Sequence, residues 1–232
     1  MTNSAQKAAD FDLSGLLTDA PEQPPEDWTR PNEARGSIAS QLCVKVATFA
    51  MRQRAARADA IDARRFERAT DALVRLPEPL EYVHIVTGQE FSGFDLLPAM
   101  LALSKADRFD ALTLTTLGFS KRNLEALAAM VEAGKVQVAA LRILCSDFFR
   151  RSDREIWQIG REQADRTGYG FRSTRNHTKI ILAAIAGKSY VVESSANLRS
   201  CANLEQFCLC QSKPLYDFHA GWIEQVWPTA QD

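Results

Sequence analysis

The sequence lacks the features that mark small disulfide-rich or zinc-binding domains. Its five cysteines include no CxxC pair, and an odd number of thiols cannot close into a complete disulfide framework. Histidine is scarce as well, with three residues in a chain of 232. These shortages argue against a zinc ribbon and against a secreted disulfide scaffold, so we interpret the cysteines as reduced thiols in or near a core.

Long apolar runs are also missing. No stretch approaches the length of a membrane span, and the first residues lack the basic start and apolar stretch of a secretory signal peptide. We therefore expect a cytoplasmic protein without membrane attachment. The formal net charge of −1 conceals an uneven distribution, because residues 1–36 carry seven acidic and three basic side chains, whereas residues 149–199 carry five acidic and ten basic ones. A local basic face is therefore predicted.

Composition divides the chain into three parts. Residues 1–36 are acidic and rich in proline, which predicts a disordered tail. Residues 37–76 are rich in Ala, Arg and Leu and are expected to form a helical extension. The arginines of its segment 37–70 either form a solvated helix face or contact substrate, a dimer partner or another protein. Residues 77–232 are predicted to form one catalytic domain.

Within residues 77–232, strand-like and helix-like segments alternate, which is typical of an α/β fold. Strands are expected at 80–88, 110–119 and 136–144, and helices near 94–106, 120–134 and 154–167. The last third differs, because KIILAAIA and SYVVES flank Gly187 and Lys188 as a hairpin, with the strand LEQFCLCQ and a C-terminal helix after them. The sequence thus predicts an α/β domain with a mixed β-sheet flanked by helices.

The predicted hairpin has polar residues only at its open end. His177 and Lys179 precede the first strand, where alternate side chains share a face and lie about 6–7 Å apart. Pairing of the two strands brings Ser194, Ser195 and Asn197 back beside that histidine and lysine. The sequence therefore predicts a single polar site at the end of an apolar hairpin.

These types of side chain suit displacement at phosphorus. An imidazole can act as the nucleophile, an ammonium can neutralise phosphoryl oxygens, and an amide and a hydroxyl can hold the other oxygens. Glu205 can accept a hydrogen bond from the second imidazole nitrogen of His177, or it can instead pair with Arg199 at the surface. Such a scheme requires neither a metal nor a cofactor.

The same residues resemble the signature of the phospholipase D superfamily, which reads HxKxxxxD followed by GSxN. Here the signature appears as HTK at residues 177–179 and SSAN at residues 194–197, and Glu205 is similar to the downstream acidic residue of the family. Two positions depart from the pattern. Ala184 stands where the signature has Asp, and Ser194 stands where it has Gly.

The resemblance is greatest to the nuclease branch, in which that Asp can be lost and SSxN occurs. It implies a phospholipase D-like fold and a metal-independent phosphodiesterase that forms a phosphohistidine at His177. Lys179, Asn197 and Ser195 would then hold the phosphate, and Glu205 would orient the ring. Because the implied mechanism uses two histidines and the chain has one HxK motif, we expect a homodimer with the active site at its interface.

The basic stretch that leads into the motif suggests a nucleic-acid substrate. Arg172 and Arg175 are predicted to contact a phosphate backbone, together with Ser194 and Arg199. Since the sequence has no aromatic ladder for stacking single strands, duplex DNA is the favoured substrate and DNA cleavage the favoured activity. Two alternatives remain open: a weakly active or inactive phospholipase D-like module that binds nucleic acid, and a phospholipid-processing enzyme.

Overall fold

The computed structural model describes residues 63–88, 90–199 and 203–230. The predicted acidic tail, residues 1–36, lies outside the described residues, and so does the predicted helical extension up to residue 62. The described part of the extension is helical over residues 63–73, which we call α1. The buried side chains of Ala69 and Leu73 join α1 to the main core.

Seven strands form one sheet: β1 (Tyr82–Gly88), β2 (Ala111–Thr115), β3 (Leu141–Ser146), β4 (Gly170–Thr174), β5 (Ile180–Ile185), β6 (Lys188–Ser194) and β7 (Leu204–Gln211). Their order in the sheet is β1-β7-β6-β5-β2-β3-β4. The strands β2, β3 and β4 are parallel, whereas β5 pairs antiparallel with β2 and β6, and β7 pairs antiparallel with β6 and β1. The predicted mixed sheet flanked by helices is therefore confirmed.

Helices cover both faces of this sheet: α2 (Leu96–Ser104), α3 (Lys121–Glu132), α4 (Asp147–Ser152), α5 (Arg154–Thr167) and α6 (Lys213–Val226). Alternation along β5 shows why both faces are apolar. Ile181 and Ala183 belong to the main core, which includes residues of α2, α3 and α5, whereas Ile180 and Leu182 pack with Ile223 of α6 on the other face. In the described ranges, none of the helices has the length and apolar character needed to cross a membrane.

In the parallel half, one predicted strand begins later than expected and one strand was missed. The apolar segment 136–144 enters the sheet only at Leu141, because Val138–Ala140 forms a 3-10 turn and Val136 makes an isolated bridge to Phe109. The strand β4 was not predicted, since its five residues alternate buried and half-buried as an edge strand does and carry little apolar character. Its presence places the residues before the HTK motif at the end of a strand.

The hairpin of β5 and β6 is confirmed, but its turn lies one residue earlier than predicted. Lys188 pairs with Ile185, so the turn consists of Ala186 and Gly187. Their φ angles are 49° and 76°, as a tight hairpin turn with two left-handed residues requires. Glycine meets this requirement without strain, which explains its presence in a strand-rich segment.

One end of the sheet collects the segments that carry the candidate residues. The carboxyl ends of β2, β3, β4 and β6 and the amino ends of β5 and β7 meet there. We call this end the site edge. The central strands β2, β3 and β5 are largely buried, so along them the polar side chains that must meet solvent or a ligand are concentrated where the strands stop.

Candidate active site at one edge of the sheet

A short connection between β4 and β5, which we call the strap (residues 175–179), is fastened to the site edge by one buried side chain. The Nδ2 amide of Asn176 donates to the carbonyl oxygens of Thr116 at 3.3 Å and of Leu144 at 3.0 Å. Its Oδ1 accepts the backbone N–H of Thr178 at 2.9 Å and the hydroxyl of Thr178 at 2.7 Å. Because four hydrogen bonds use the capacity of this amide, Asn176 fixes the strap to the ends of β2 and β3.

His177 and Lys179, both on the strap, contact each other. The Nζ of Lys179 lies 3.1 Å from Nδ1 of His177 and donates to the carbonyl oxygen of His177 at 2.7 Å. Since an ammonium can only donate, Nδ1 accepts and the neutral ring carries its proton on Nε2. The side chain of His177 is exposed and that of Lys179 is half-buried, so the imidazole is open to a ligand while its neighbour is partly enclosed.

Glu205 is held by Ser195. The hydroxyl of Ser195 donates to a carboxylate oxygen of Glu205 and accepts the backbone N–H of Gln206 at 3.0 Å. The donor and an acceptor position of this hydroxyl are thus used within the protein. The contact of Ser195 with phosphate stays a prediction, and its observed contacts position the Glu205 carboxylate at the site edge. The alternative pairing of Glu205 with Arg199 is not the one formed.

The loop after β6 carries Asn197 and is pinned to the segment after β2. The Oδ1 of Asn197 accepts the N–H of Leu117 at 3.2 Å, and the N–H of Leu198 donates to the hydroxyl of Thr116 at 3.1 Å. The amide of Asn123 donates to the carbonyl oxygen of Leu198. Because Oδ1 of Asn197 is engaged, its Nδ2 group remains a donor without a partner among the described residues.

Ser194 ties the end of β6 to the strap. Its backbone N–H donates to the carbonyl oxygen of Lys179 at 3.0 Å, and its hydroxyl donates to the carbonyl oxygen of Ala196 at 3.1 Å. The side chain is half-buried rather than displayed to solvent. These contacts give Ser194 a place in the local backbone, and its predicted contact with substrate stays a prediction.

The three arginines predicted to contact substrate have different surroundings. Arg172 donates from Nη1 to the carbonyl oxygen of Trp227 at 2.7 Å, and its guanidinium lies 5.3 Å from the centre of the indole ring. These contacts pack Arg172 against the C-terminal segment, and its predicted contact with substrate stays a prediction. Arg175 is exposed on the strap. Arg199 is exposed and lies 3.8 Å from Asp153, between α4 and α5.

The electrostatics of the site centre on Lys179. Partial burial lowers the pKa of its ammonium, and the negative charge of Glu205 acts in the opposite direction. A lysine with a lowered pKa loses its charge at a lower pH than a solvated lysine does. An anion bound by Lys179 should therefore be released at a lower pH than one bound by an ordinary surface lysine.

We expect Glu205→Gln to lower the pKa of Lys179 further, because the variant removes the charge that favours the ammonium and leaves the burial unchanged. The titration of the Lys179 side chain can be followed by NMR on protein with 13C-labelled lysine ε-carbons. Glu162→Gln, which removes an exposed carboxylate on α5, serves as the control and should not shift that signal. An unchanged titration of Lys179 in Glu205→Gln would show that the two groups are not coupled.

The signature position occupied by Ala184 lies away from the site edge. Ala184 pairs with Ala111 and Ser189 near the hairpin turn. Along β5 it is roughly 13 Å from Ile180, at about 3.3 Å for each residue. A carboxylate at this position would face the turn end of the sheet, so its absence removes no group from the neighbourhood of His177 and Lys179.

A second group of titratable side chains lies on β1, β6 and β7. Cys208 pairs across the strands with His84 and with Glu193. The buried His219 lies with Nε2 2.9 Å from Oε1 of Glu193, and its Nδ1 accepts the indole N–H of Trp222 at 3.0 Å. In the described ranges, no group of three His, Cys, Asp or Glu side chains is placed to hold a metal ion. The contacts of His219 and Trp222 pack α6 against the sheet.

Asn176 and the two threonines at the end of β2 were missed by the sequence analysis. The signal available was a polar residue directly before the HTK motif, together with Thr115 and Thr116 at the end of an apolar strand. The hydroxyl of Thr115 accepts the N–H of Ile180 at 3.0 Å, which adds to the fastening of the strap. Nothing in the local sequence indicates that these residues meet across the sheet.

Comparison by sequence gives no match to a protein-family model or to a curated protein. Comparison by structure finds similar folds.

The phospholipase D family member Nuc from Salmonella typhimurium is 18% identical, with a TM-score of 0.48 over 66% of this chain and 98% of Nuc. Polyphosphate kinase from Porphyromonas gingivalis is 13% identical, with a TM-score of 0.46 over 62% of this chain and 25% of the kinase. The archaeal chromatin protein TrmBL2, described as showing a novel mode of DNA binding, is 14% identical, with a TM-score of 0.43 over 88% of this chain and 75% of TrmBL2.

Proposed function

We propose that the protein is a phosphodiesterase, and most concretely a metal-independent DNA endonuclease, that reacts through His177. The observation that carries the proposal is the exposed imidazole whose Nδ1 lies 3.1 Å from an ammonium. An amide donor on Asn197, in the loop after β6, and a carboxylate on Glu205, at the start of β7, lie at the same edge of the sheet. A nucleophile, a cation and a neutral donor are the groups that displacement at a phosphodiester needs.

Each group has a separate task in this proposal. The ammonium of Lys179 and the Nδ2 group of Asn197 bind the two non-bridging oxygens of the phosphate and stabilise the charge that develops on them. Ser195 holds Glu205 in place through its hydroxyl. Glu205 then accepts a hydrogen bond from a ring N–H of the imidazole and stabilises the ring when it becomes positively charged.

The resting contact between Lys179 and His177 must change when substrate binds. With the ammonium on Nδ1, the neutral ring holds its proton on Nε2 and has no free lone pair for attack. A bound phosphate attracts the ammonium of Lys179 to its oxygens and frees Nδ1. The ring proton can then reside on Nδ1 and donate a hydrogen bond to the carboxylate of Glu205. The unprotonated Nε2 becomes the nucleophile.

The reaction proceeds in two displacements. First, Nε2 of His177 forms a bond to phosphorus, the P–O bond to the leaving group breaks, and the leaving oxygen takes a proton from the imidazolium of His177 of the partner subunit. A water molecule then attacks the phosphohistidine, gives its proton to the imidazole of the partner subunit, and breaks the N–P bond. Both rings return to their starting states.

A dimer that shares one active centre makes a quantitative prediction for mixed subunits. When wild-type chains and His177→Ala chains are refolded together in equal amounts, random pairing leaves about one quarter of the dimers with two histidines. Activity should therefore fall to about a quarter of that of the same total amount of wild-type protein. Independent sites would keep about half, and this result would contradict a shared centre.

Turnover of bis(p-nitrophenyl) phosphate and nicking of supercoiled plasmid in EDTA test the proposed function. We expect wild-type protein to convert both. Binding of DNA without any turnover would favour the alternative of an inactive nucleic-acid-binding module. Hydrolysis of phosphatidylcholine in place of both substrates would favour a phospholipid-processing enzyme. The position of Ala184 far from the site edge supports the active enzyme over the inactive module.

A further inference from the structure

Three arginines of α4 and α5 line an open cavity outside the site described above. The cavity has a volume of about 440 Å³ and is lined by Arg150, Arg151, Arg154, Trp157 and Gln158. We call it the arginine cavity. Its aromatic wall is rigid, because Trp157 is buried with its ring 4.6 Å from that of Phe171.

The helix α4, which carries two residues of the arginine cavity, and the strap begin at the ends of neighbouring strands. The register of β3 and β4 pairs Ser146 with Thr174. The chain enters α4 directly after Ser146 and enters the strap directly after Thr174. Neighbouring strands are about 5 Å apart, so the two segments start within one strand spacing of each other at the site edge.

A second contact joins the arginine cavity to the candidate site. Arg199, in the loop that carries Asn197, lies 3.8 Å from Asp153. Asp153 stands between α4 and α5, next to Arg154. The loop that presents the amide donor of Asn197 therefore contacts the connection between α4 and α5, one residue before the cavity residue Arg154.

The charge of the cavity wall has one sign. Its lining residues include three guanidinium groups and no carboxylate. Of the acidic residues nearby in the sequence, Asp153 is 3.8 Å from Arg199, and Asp147 is half-buried at the first position of α4. Glu155 is exposed beside Arg154 but does not line the cavity. Arginine is well suited to phosphate because its planar guanidinium donates two parallel hydrogen bonds.

We propose that the arginine cavity binds a backbone phosphate of a nucleic-acid strand, next to the phosphate that reacts at His177. The inference rests on the proposed function for the identity of the reacting group. DNA carries a phosphate about every 3.4 Å along each strand, so a chain held at the strap necessarily presents further phosphates to neighbouring surfaces. The cavity then selects a polymer over a small diester, because only a polymer reaches both places.

Binding of a fluorescein-labelled DNA duplex at several NaCl concentrations tests the inference. The double variant Arg151→Gln, Arg154→Gln removes two exposed charges of the cavity wall. We expect its affinity at low salt to fall about tenfold or more, and the slope of log affinity against log salt to decrease by about one for each arginine. The matched control is Arg166→Gln, an exposed residue in the last turn of α5, which should leave affinity and slope unchanged.

Equal affinity and equal slope in the double variant and the wild-type protein would overturn the inference, provided that both unfold at the same temperature. Binding of wild-type protein to vesicles of equal parts phosphatidylserine and phosphatidylcholine, without binding to DNA, would overturn it as well. Failure of the proposed function is visible separately, as a lack of bis(p-nitrophenyl) phosphate turnover by the wild-type protein in EDTA.

Discussion

Replacement of His177 by Ala is expected to reduce phosphodiester turnover by roughly 10⁴-fold or more, the scale on which removal of a catalytic nucleophile acts. The side chain is exposed, and within the described part of the chain its ring is hydrogen-bonded to Lys179, so the loss removes the proposed nucleophile without opening a cavity in the core. Initial rates with bis(p-nitrophenyl) phosphate in EDTA measure the effect. The unfolding temperature of the variant should stay close to that of the wild-type protein.

His84 provides the matched control for this experiment. It is the other exposed histidine of the described residues and lies on β1, outside the strap. His84→Ala should turn over the diester at the wild-type rate. Rapid quenching of the wild-type reaction should also trap a phosphoryl group on the peptide that contains His177, with the lability to acid of a P–N bond. Equal activity of His177→Ala and the wild-type protein would remove the proposed nucleophile.

Replacement of Asn176 by Ala is expected to lower the free energy of unfolding by about 2–4 kcal/mol, because it leaves buried backbone groups of the strap and of β2 and β3 without their partners. The four hydrogen bonds of this side chain reach Thr116, Leu144 and Thr178. Urea unfolding followed by tryptophan fluorescence measures the change. Activity should fall as well, since the strap positions His177.

Thr178→Val supplies a graded comparison for Asn176→Ala. It removes the hydroxyl that lies 2.7 Å from Oδ1 of Asn176 and 2.9 Å from the hydroxyl of Thr115, and it keeps the hydrogen bond of the backbone N–H. We expect a loss of about 1–2 kcal/mol, since each of these two hydrogen bonds contributes about 1 kcal/mol. If the two variants were equally stable, the buried amide would not be what holds the strap to the sheet.

The parts of the fold that could be predicted from the sequence have strong local signals. The helix from Arg154 to Thr167 has the predicted bounds, and the helix that follows Ser120 begins with the serine hydroxyl accepting the N–H of Asn123. The hairpin follows from two apolar runs around a glycine. In contrast, β4 is a five-residue edge strand, and its membership in the sheet depends on its pairing with β3 rather than on its own residues.

The contacts of the candidate site also divide into those that could be predicted from the sequence and those that could not. His177 and Lys179 are two residues apart, so their contact could be predicted from the sequence. The contacts of Asn176 reach residues 60 and 32 positions away, and that of Arg172 reaches a residue 55 positions away. No local pattern encodes such distant partners. Ser195 is an intermediate case, because its pairing with Glu205 depends on the register of β6 and β7.

The tight turn at Ala186 and Gly187 stands at the opposite end of the sheet from the strap, separated from it by the length of β5. A peptide epitope or a fluorescent dye attached at this turn would be remote from His177 and Lys179. The turn is therefore a position for immobilisation or for a single-molecule label that leaves the site edge unobstructed.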